Sequence, residues 1–313
     1  MTFPRPVAIV AGILMLGESA AAQLQPPPAA DPPSAGRSVK TKAIKPTPPM
    51  PPTRPEPDNE ANAQVADDPN ADPVYGAYQG GRYKTAFDLA LKRAQEDKNA
   101  AAMTMLGELY ANGLGVRRDY GKAFEWHQRA AGLGDREAMF ALAMLRISGR
   151  GGPPDRAGAV KWLTASAKLG QPKAAYNLAL LHMDGQTLPQ DFKRAAELLR
   201  FAADAGSPEA QYALATFYKE GTGVEKNLYK SVRLLQAASL AGNVDAEVEY
   251  AIALFNGSGT QKNEAAAVSL LRKAARRNSA IAQNRLAHAL VEGMGVPMDK
   301  VEGLKWHIVA KTG

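Results

Sequence analysis

The amino-acid sequence is 313 residues long, contains no cysteine and has a formal net charge of +7 at pH 7. Without cysteine, the chain has no disulfide, no thiol nucleophile and no cysteine-ligated metal site. The first 22 residues are neutral and residues 23–72 carry −2, so residues from 73 onward carry +9. Spread over the rest of the chain, this charge argues for acidic partners or envelope polyanions rather than for nucleic acid.

The first residues have the pattern of a secretory signal peptide. Arg5 precedes an apolar run at residues 7–16, and Ala20-Ala21-Ala22 supplies a small-x-small cleavage site before Gln23. The apolar run is too short to span a bilayer. We therefore expect cleavage of residues 1–22, export to the periplasm and no membrane span afterwards. An uncleaved anchor and a chance apolar start are the alternatives.

Residues 23–72 predict a disordered, Pro-rich linker. They contain 13 prolines and few aromatic or branched apolar residues, so they cannot bury enough surface to fold. A proline-rich segment acts as an extended spacer. Its basic cluster from Arg37 to Lys45 either contacts an anionic envelope surface or only adds solubility and reach.

From residue 102 onward the sequence repeats with a period of 36. We call the residues at one position of successive repeats a column. One column is all alanine: Ala102, Ala138, Ala174, Ala210, Ala246 and Ala282. Another is all glycine: Gly113, Gly149, Gly185, Gly221, Gly257 and Gly293. No insertion or deletion interrupts the series, which indicates a repeat array.

Each repeat predicts two helices. The first starts at a column of N-cap residues, in which only Gln171 is a poor cap: Asn99, Asp135, Gln171, Ser207, Asn243 and Ser279. It ends at the glycine column, because a left-handed C-cap needs a positive φ. The second helix starts at Asp119 and its copies, and ends at the column of Gly134. Gly113-x-Gly115 is therefore a helix stop. A phosphate-binding loop would need a following Lys-Ser/Thr or a preceding strand.

These motifs resemble the Sel1-like repeat family, a relative of the tetratricopeptide repeat. The unit at 102–134 carries the family pattern most fully, with Ala102, Leu106, Gly107, Tyr110, Gly113, Gly115, Val116, Asp119, Lys122, Ala123, Trp126, Ala130, Ala131 and Gly134. The resemblance implies an all-α fold, a right-handed α-solenoid of stacked helix–turn–helix units. It covers residues 102–313 as six repeats.

Both ends of the array depart from this pattern. Residues 73–101 predict a divergent N-terminal helical unit, with Ala86, Phe87, Ala90, Leu91 and Ala94 on one helical face. At the other end no polar closing helix follows the sixth repeat, whereas solenoid ends normally need one. We expect either a partner on that end or a longer parent sequence.

No catalytic constellation is recognisable. The four histidines are His127, His182, His288 and His307, and none belongs to a metal-ligand or nucleophile motif. His127 and His307 share one column beside the tryptophan of the second helix, which favours a packing role. We therefore expect no enzyme activity, no cofactor and no metal.

The resemblance implies that the first helices line a concave groove. Four columns should face it, and in the middle four repeats they give an apolar, aromatic stripe: Phe140, Met144, Tyr176, Leu180, Met183, Tyr212, Ile252 and Phe255. Asp184, Glu220, Asn256 and Glu292 form a polar rim. An apolar surface with a polar rim indicates an interaction site. The alternative is that these side chains are packed between adjacent first helices.

Three functions compete on this sequence. The first is a non-enzymatic periplasmic scaffold or regulator that binds a protein or peptide in the groove. Exported proteins of the resembled family include regulators of exopolysaccharide synthesis. The second is a module that binds peptidoglycan or polysaccharide. The third, a β-lactamase-like hydrolase, is disfavoured because that branch of the family pairs cysteines in every repeat.

Overall fold

A computed structural model describes residues 72–312 of the chain. The signal peptide predicted at residues 1–22 and nearly all of the predicted linker lie outside the described residues. Within them the structure has fourteen helices and no strand: α1 Pro73–Gln79, α2 Tyr83–Glu96, α3 Ala100–Asn112, α4 Tyr120–Gly132, α5 Arg136–Ser148, α6 Arg156–Lys168, α7 Pro172–Asp184, α8 Phe192–Asp204, α9 Pro208–Glu220, α10 Leu228–Leu240, α11 Val244–Asn256, α12 Glu264–Arg276, α13 Ala280–Glu292 and α14 Lys300–Thr312. This is an all-α solenoid, as the sequence predicts.

The odd-numbered helices from α3 to α13 are the first helices of the repeats, and the even-numbered helices from α4 to α14 are the second helices. Each helix packs against the one before it and the one after it, and α3 also contacts α5. The chain thus stacks helix pairs in sequence order, and each pair buries its apolar face against its neighbours.

The helices begin where the sequence predicts. Asn99 accepts a hydrogen bond from the backbone N–H of Ala102 at 2.8 Å, and Asp119 accepts one from Lys122 N–H at 3.0 Å. Gln171 differs from the expectation, because its longer side chain does cap α7. Its Oε1 accepts from the N–H of Lys173, two residues on rather than three, at 2.8 Å.

The glycine columns end the helices. Each first helix has a left-handed glycine at its C-cap, for example Gly113 at φ 70° and Gly221 at φ 82°. Each of the first five second helices is followed by a residue with positive φ, which is glycine in four repeats and Asn278 in the fifth. Both observations confirm the predicted helix stops.

The second glycine of Gly-x-Gly has a different physical role. A Cβ on Gly115 would lie 2.5 Å from the carbonyl carbon of Tyr83, at the start of α2. The loop between α3 and α4 therefore packs its backbone onto the first turn of α2, where no side chain fits. Thr187 takes this place in the third repeat, and its φ is not positive.

The core runs along the whole array. The largest cluster spans α5 to α9 and includes Leu163, Leu178 and Leu199, all almost fully buried. At the N-terminal end α2 buries Ala86, Phe87, Ala90 and Ala94. At the other end α14 and the preceding loop leave four large apolar side chains mostly exposed: Met298, Val301, Leu304 and Ile308.

Candidate functional site

The predicted aromatic stripe lies on four consecutive first helices. Phe140 and Met144 are on α5, Tyr176, Leu180 and Met183 on α7, Tyr212 on α9, and Ile252 and Phe255 on α11. Residues three or four apart share one face of a helix. Each helix therefore contributes its stripe residues to one side.

The structure divides the eight predicted residues into two groups. Met144 and Met183 are buried, with 8% and 5% of their surfaces exposed, and they belong to the central core. For these two residues the packing alternative holds. The other six are half-buried: Phe140, Tyr176, Leu180, Tyr212, Ile252 and Phe255. We call these six residues the aromatic stripe from here on.

The predicted polar rim is mostly exposed. Glu220, Asn256 and Glu292 are exposed, and Asp184 is half-buried. The rim follows the carboxyl-terminal ends of the first helices, because each of these residues directly precedes the glycine cap of its helix. The stripe is therefore bordered along one side by accessible polar groups.

A second set of carboxylates borders the stripe on its other side, and sequence reasoning missed it. Glu209 and Asp245 are exposed and occupy one column, in the first turns of α9 and α11, and Glu209 lies three residues before Tyr212. Glu249 of α11 is half-buried, and its Oε2 accepts a bond from Lys219 Nζ of α9 at 2.7 Å. The i−3 spacing on one helical face was the signal available in the sequence.

The ionisation of the stripe tyrosines reflects these neighbours. Burial, together with the carboxylates of Asp245, Glu249 and Glu220, raises the pKa of Tyr212 to about 12. Burial and the charge of Glu209 raise the pKa of Tyr176. In each case negative charge on a neighbouring group disfavours the phenolate. Both tyrosines are therefore neutral hydroxyl groups next to carboxylates at physiological pH.

The first helices and the second helices differ in charge. The six first helices contain nine acidic and five basic side chains, whereas the six second helices contain five acidic and sixteen basic ones. The mild positive charge of the repeats therefore lies on the second helices, and the helices that carry the stripe have an acidic excess. Clustered charge of one sign attracts ligands of the opposite sign.

A surface cleft lies away from the stripe, at the start of the repeat array. It has a volume of about 470 Å³ and is lined by Tyr110, Val116, Arg117, Arg118, Asp119 and Lys122, at the loop between α3 and α4. Lys122 lies over the ring of Tyr110 at 5.4 Å. Asp119 is held by its capping bond to α4. The cleft thus presents three cationic side chains and one carboxylate that is already engaged.

The four histidines lie in different environments. His127 is buried, with 1% of its surface exposed, and burial lowers its pKa from the usual 6.5 to about 4. His182 contacts the carbonyl oxygen of Pro189 at 3.2 Å through Nδ1. His288 and His307 are exposed on α13 and α14. Among residues 72–312, no three His, Asp or Glu side chains gather as metal ligands.

Comparison with known protein families shows to which family the repeats belong. The model of the Sel1 repeat matches six consecutive stretches: 100–135, 136–171, 172–207, 208–243, 244–279 and 280–310. The chain belongs to the Sel1 repeat family. Sel1 repeat proteins are generally non-catalytic protein-interaction scaffolds. Within residues 72–312, no helix of this Sel1 repeat protein combines the length and apolar character that a membrane crossing requires.

The solved structures similar to this Sel1 repeat chain include the following two. One is a protective antigen of uropathogenic Escherichia coli that displays an SLR fold, with a TM-score of 0.70 and 26% identity. The match covers 76% of this chain and 52% of the antigen, so the chain spans about half the length of that relative. The other is a Sel1 repeat protein from Oxalobacter formigenes, with a TM-score of 0.68 and 26% identity, and the match covers 76% of this chain and 98% of that one. No curated protein matches the chain.

Proposed function

We propose that this Sel1 repeat protein is a non-enzymatic scaffold or regulator that binds a protein or peptide partner along the aromatic stripe, in the concave groove of the solenoid. The observation that carries the proposal is the stripe itself. Four consecutive first helices each contribute accessible aromatic or large apolar side chains to it, and exposed polar residues border it. Apolar surface with a polar border is characteristic of interaction sites, and Tyr and Phe are enriched in interfaces.

The arrangement of the ionisable side chains supports a binding role rather than catalysis. A nucleophile and its general base must lie within hydrogen-bond reach of each other. His127 is buried against α3, and its Nδ1 has no hydrogen-bond partner among the described residues. His182 is occupied by a loop carbonyl. We therefore assign the histidines of the described residues to packing and to the surface.

We also propose that the protein acts in the periplasm. The support is the signal-peptide pattern at residues 1–22, with its short apolar run and its small-x-small site. A partner in the cell envelope is then the expected target, and the regulation of envelope or exopolysaccharide signalling is one setting in which a scaffold of this kind would act.

Paired tyrosine substitutions test the binding surface. The variant Tyr176→Ser/Tyr212→Ser removes two aromatic side chains from the stripe, and Tyr75→Ser/Tyr229→Ser removes two exposed ones elsewhere, on α1 and α10. Tagged full-length protein is isolated from producing cells, and the co-purified proteins are quantified by mass spectrometry. We expect a specific partner that the stripe variant loses and the control variant keeps, while both variants melt within a few degrees of the unmodified protein. A partner lost equally from both variants would contradict the proposal.

A second candidate function rests on a separate observation, the cationic cleft lined by Arg117, Arg118 and Lys122. Together with the basic excess of the second helices, it favours binding of an acidic polysaccharide or of peptidoglycan. This function predicts that the protein sediments with purified cell wall, and that Arg117→Glu/Arg118→Glu abolishes sedimentation. The stripe variant should then sediment as well as the unmodified protein, and loss of sedimentation in that variant would argue against the cleft.

A further inference from the structure

The first helices carry a feature that the apolar stripe alone does not explain, namely accessible carboxylates without cationic partners. Glu209, Glu220 and Asp245 are all exposed, and none forms a salt bridge within the described residues. Two other carboxylates of α11 are neutralised by cationic side chains. Glu249 pairs with Lys219 at 2.7 Å, and the buried Glu247 pairs with Lys273 at 2.7 Å.

These three carboxylates lie around the stripe tyrosines. Glu209 precedes Tyr212 by three residues on α9, and its charge contributes, after burial, to the raised pKa of Tyr176 on α7. The charges of Asp245 on α11 and Glu220 on α9 both contribute, after burial, to the raised pKa of Tyr212. The half-buried aromatic rings and the carboxylates without cationic partners are therefore close neighbours across three successive first helices, although the chain as a whole is basic. One oxygen of Glu209 accepts a hydrogen bond from Ser207 Oγ at 3.0 Å, and this carboxylate has no cationic partner within the described residues.

We infer that the partner segment that the stripe binds is cationic as well as apolar, with lysine or arginine side chains placed beside its apolar ones. This inference rests on the binding function proposed above and specifies the chemistry of the partner at that site. Free carboxylates accept charge-assisted hydrogen bonds from lysine and arginine. The faces of Tyr176 and Tyr212 attract the same cations through their ring electrons.

The opposite charge pattern on the second helices strengthens the argument. With sixteen basic and five acidic side chains, the second helices repel a cationic segment, so such a segment is directed to the first helices. An acidic segment would bring its carboxylates next to Glu209, Glu220 and Asp245 at the stripe. Because like charges repel, such a segment should bind more weakly than a cationic one. The difference in charge between the first and the second helices therefore favours a partner segment with positive charge.

The experiment uses two fluorescent synthetic peptides of identical length and identical apolar residues, one with lysine and the other with glutamate at every charged position. Binding to the full chain is followed by fluorescence anisotropy at low and at moderate salt. The test variant is Glu209→Gln/Glu220→Gln/Asp245→Asn. The matched control, Glu125→Gln/Asp204→Asn/Glu225→Gln, neutralises three exposed carboxylates that lie outside the first helices.

We expect the lysine peptide to bind at least about tenfold more tightly than the glutamate peptide, and salt to weaken its binding. The test variant should weaken the lysine peptide by about tenfold, and the control variant should change it less than about twofold. Equal binding of the two peptides, no binding of either, or equal losses in the test and control variants would overturn the inference.

The failure of this inference is distinguishable from the failure of the proposed function. A natural partner that is lost on Tyr176→Ser/Tyr212→Ser, yet binds the test variant as tightly as the unmodified protein, leaves the binding function in place and removes only the cationic partner. If no partner depends on the stripe tyrosines, the proposed function itself fails.

Discussion

The imidazole of His127 fills the space that a side chain at residue 107 would need. A Cβ built on Gly107 would lie 2.5 Å from both Cε1 and Nε2 of the His127 ring. In the next four repeats alanine replaces the glycine and leucine replaces the histidine, for example Ala143 with Leu163. The first repeat therefore uses a Gly–His pair where its neighbours use an Ala–Leu pair across the same helix contact.

Substitution of Gly107 by alanine should destabilise the protein. His127 is 1% exposed, so its ring cannot move aside without disturbing α3 and α4. Overpacking of a core typically costs about 1–3 kcal/mol. We expect a loss in the free energy of unfolding of about 2 kcal/mol, measured by urea denaturation.

The double variant Gly107→Ala/His127→Leu is the control for this prediction. It recreates the Ala–Leu pair of the neighbouring repeats, so we expect it to recover most of the lost stability. The coupling between the two substitutions should be at least about 1 kcal/mol. Additive effects of the two single substitutions would show that the two residues do not compete for the same space.

Stability should fall in mildly acidic solution because of His127. Burial lowers the pKa of His127 to about 4 in the folded protein, against 6.5 in the unfolded chain. Between these two values the unfolded chain binds a proton that the folded protein does not, so folding weakens as the pH falls. The loss should reach about 3 kcal/mol near pH 4 and then level off.

This pH dependence is measured by urea denaturation at a series of pH values between about 7 and 4. His127→Leu is the comparison, because it removes the titrating group and leaves the other titrating groups, including Glu108, in place. Burial raises the pKa of Glu108, which has the opposite effect on stability as the pH falls. The difference between the two proteins should therefore isolate His127, and identical pH profiles would contradict the assignment.

Glu247 is a fully buried carboxylate whose charge is compensated from the next helix. Its Oε1 forms an ion pair with Lys273 Nζ at 2.7 Å and accepts a hydrogen bond from Arg277 Nη1 at 3.3 Å. Removal of both cations by Lys273→Ala/Arg277→Ala leaves a buried charge without a partner. We expect that variant to lose about 2–3 kcal/mol of stability.

Glu247→Gln should cost much less, about 1 kcal/mol or less. Gln283, at the same position of the sixth repeat, donates from Nε2 to the carbonyl oxygen of Ala275 at 3.1 Å. A glutamine at 247 can make the equivalent bond, and both cations reach solvent. Thermal and urea denaturation of the two variants tests this order, and a larger loss for Glu247→Gln than for the double variant would contradict it.

The sequence predicts the helices well because their ends are set locally. An N-cap side chain such as Asp119 and a C-cap glycine such as Gly113 act within one turn of helix, so a single column of residues is enough to place each boundary. Gln171 is an exception, because the general ranking of N-cap residues does not show whether a longer side chain can reach a different N–H, here that of Lys173.

The candidate site was less predictable, because exposure depends on neighbours in other helices. Met144 and Met183 occupy the predicted stripe columns, yet both are buried in the central core. The pairing of Gly107 with His127 and the burial of Glu247 likewise depend on contacts between α3 and α4 and between α11 and α12. A repeat pattern identifies equivalent positions, whereas the packing at each position depends on the residues that differ between repeats.

The most direct test of the account is photo-crosslinking in cells that produce the protein. A photoreactive residue replaces Tyr176 on the stripe or, as the control, the exposed Arg129 on α4. Mass spectrometry then identifies the adducts and the crosslinked segments. We expect one dominant protein adduct at position 176, through a segment rich in lysine or arginine and apolar residues, and none at position 129. The absence of a protein adduct at position 176, or the same adducts at both positions, would contradict the claim that the first helices form the binding surface.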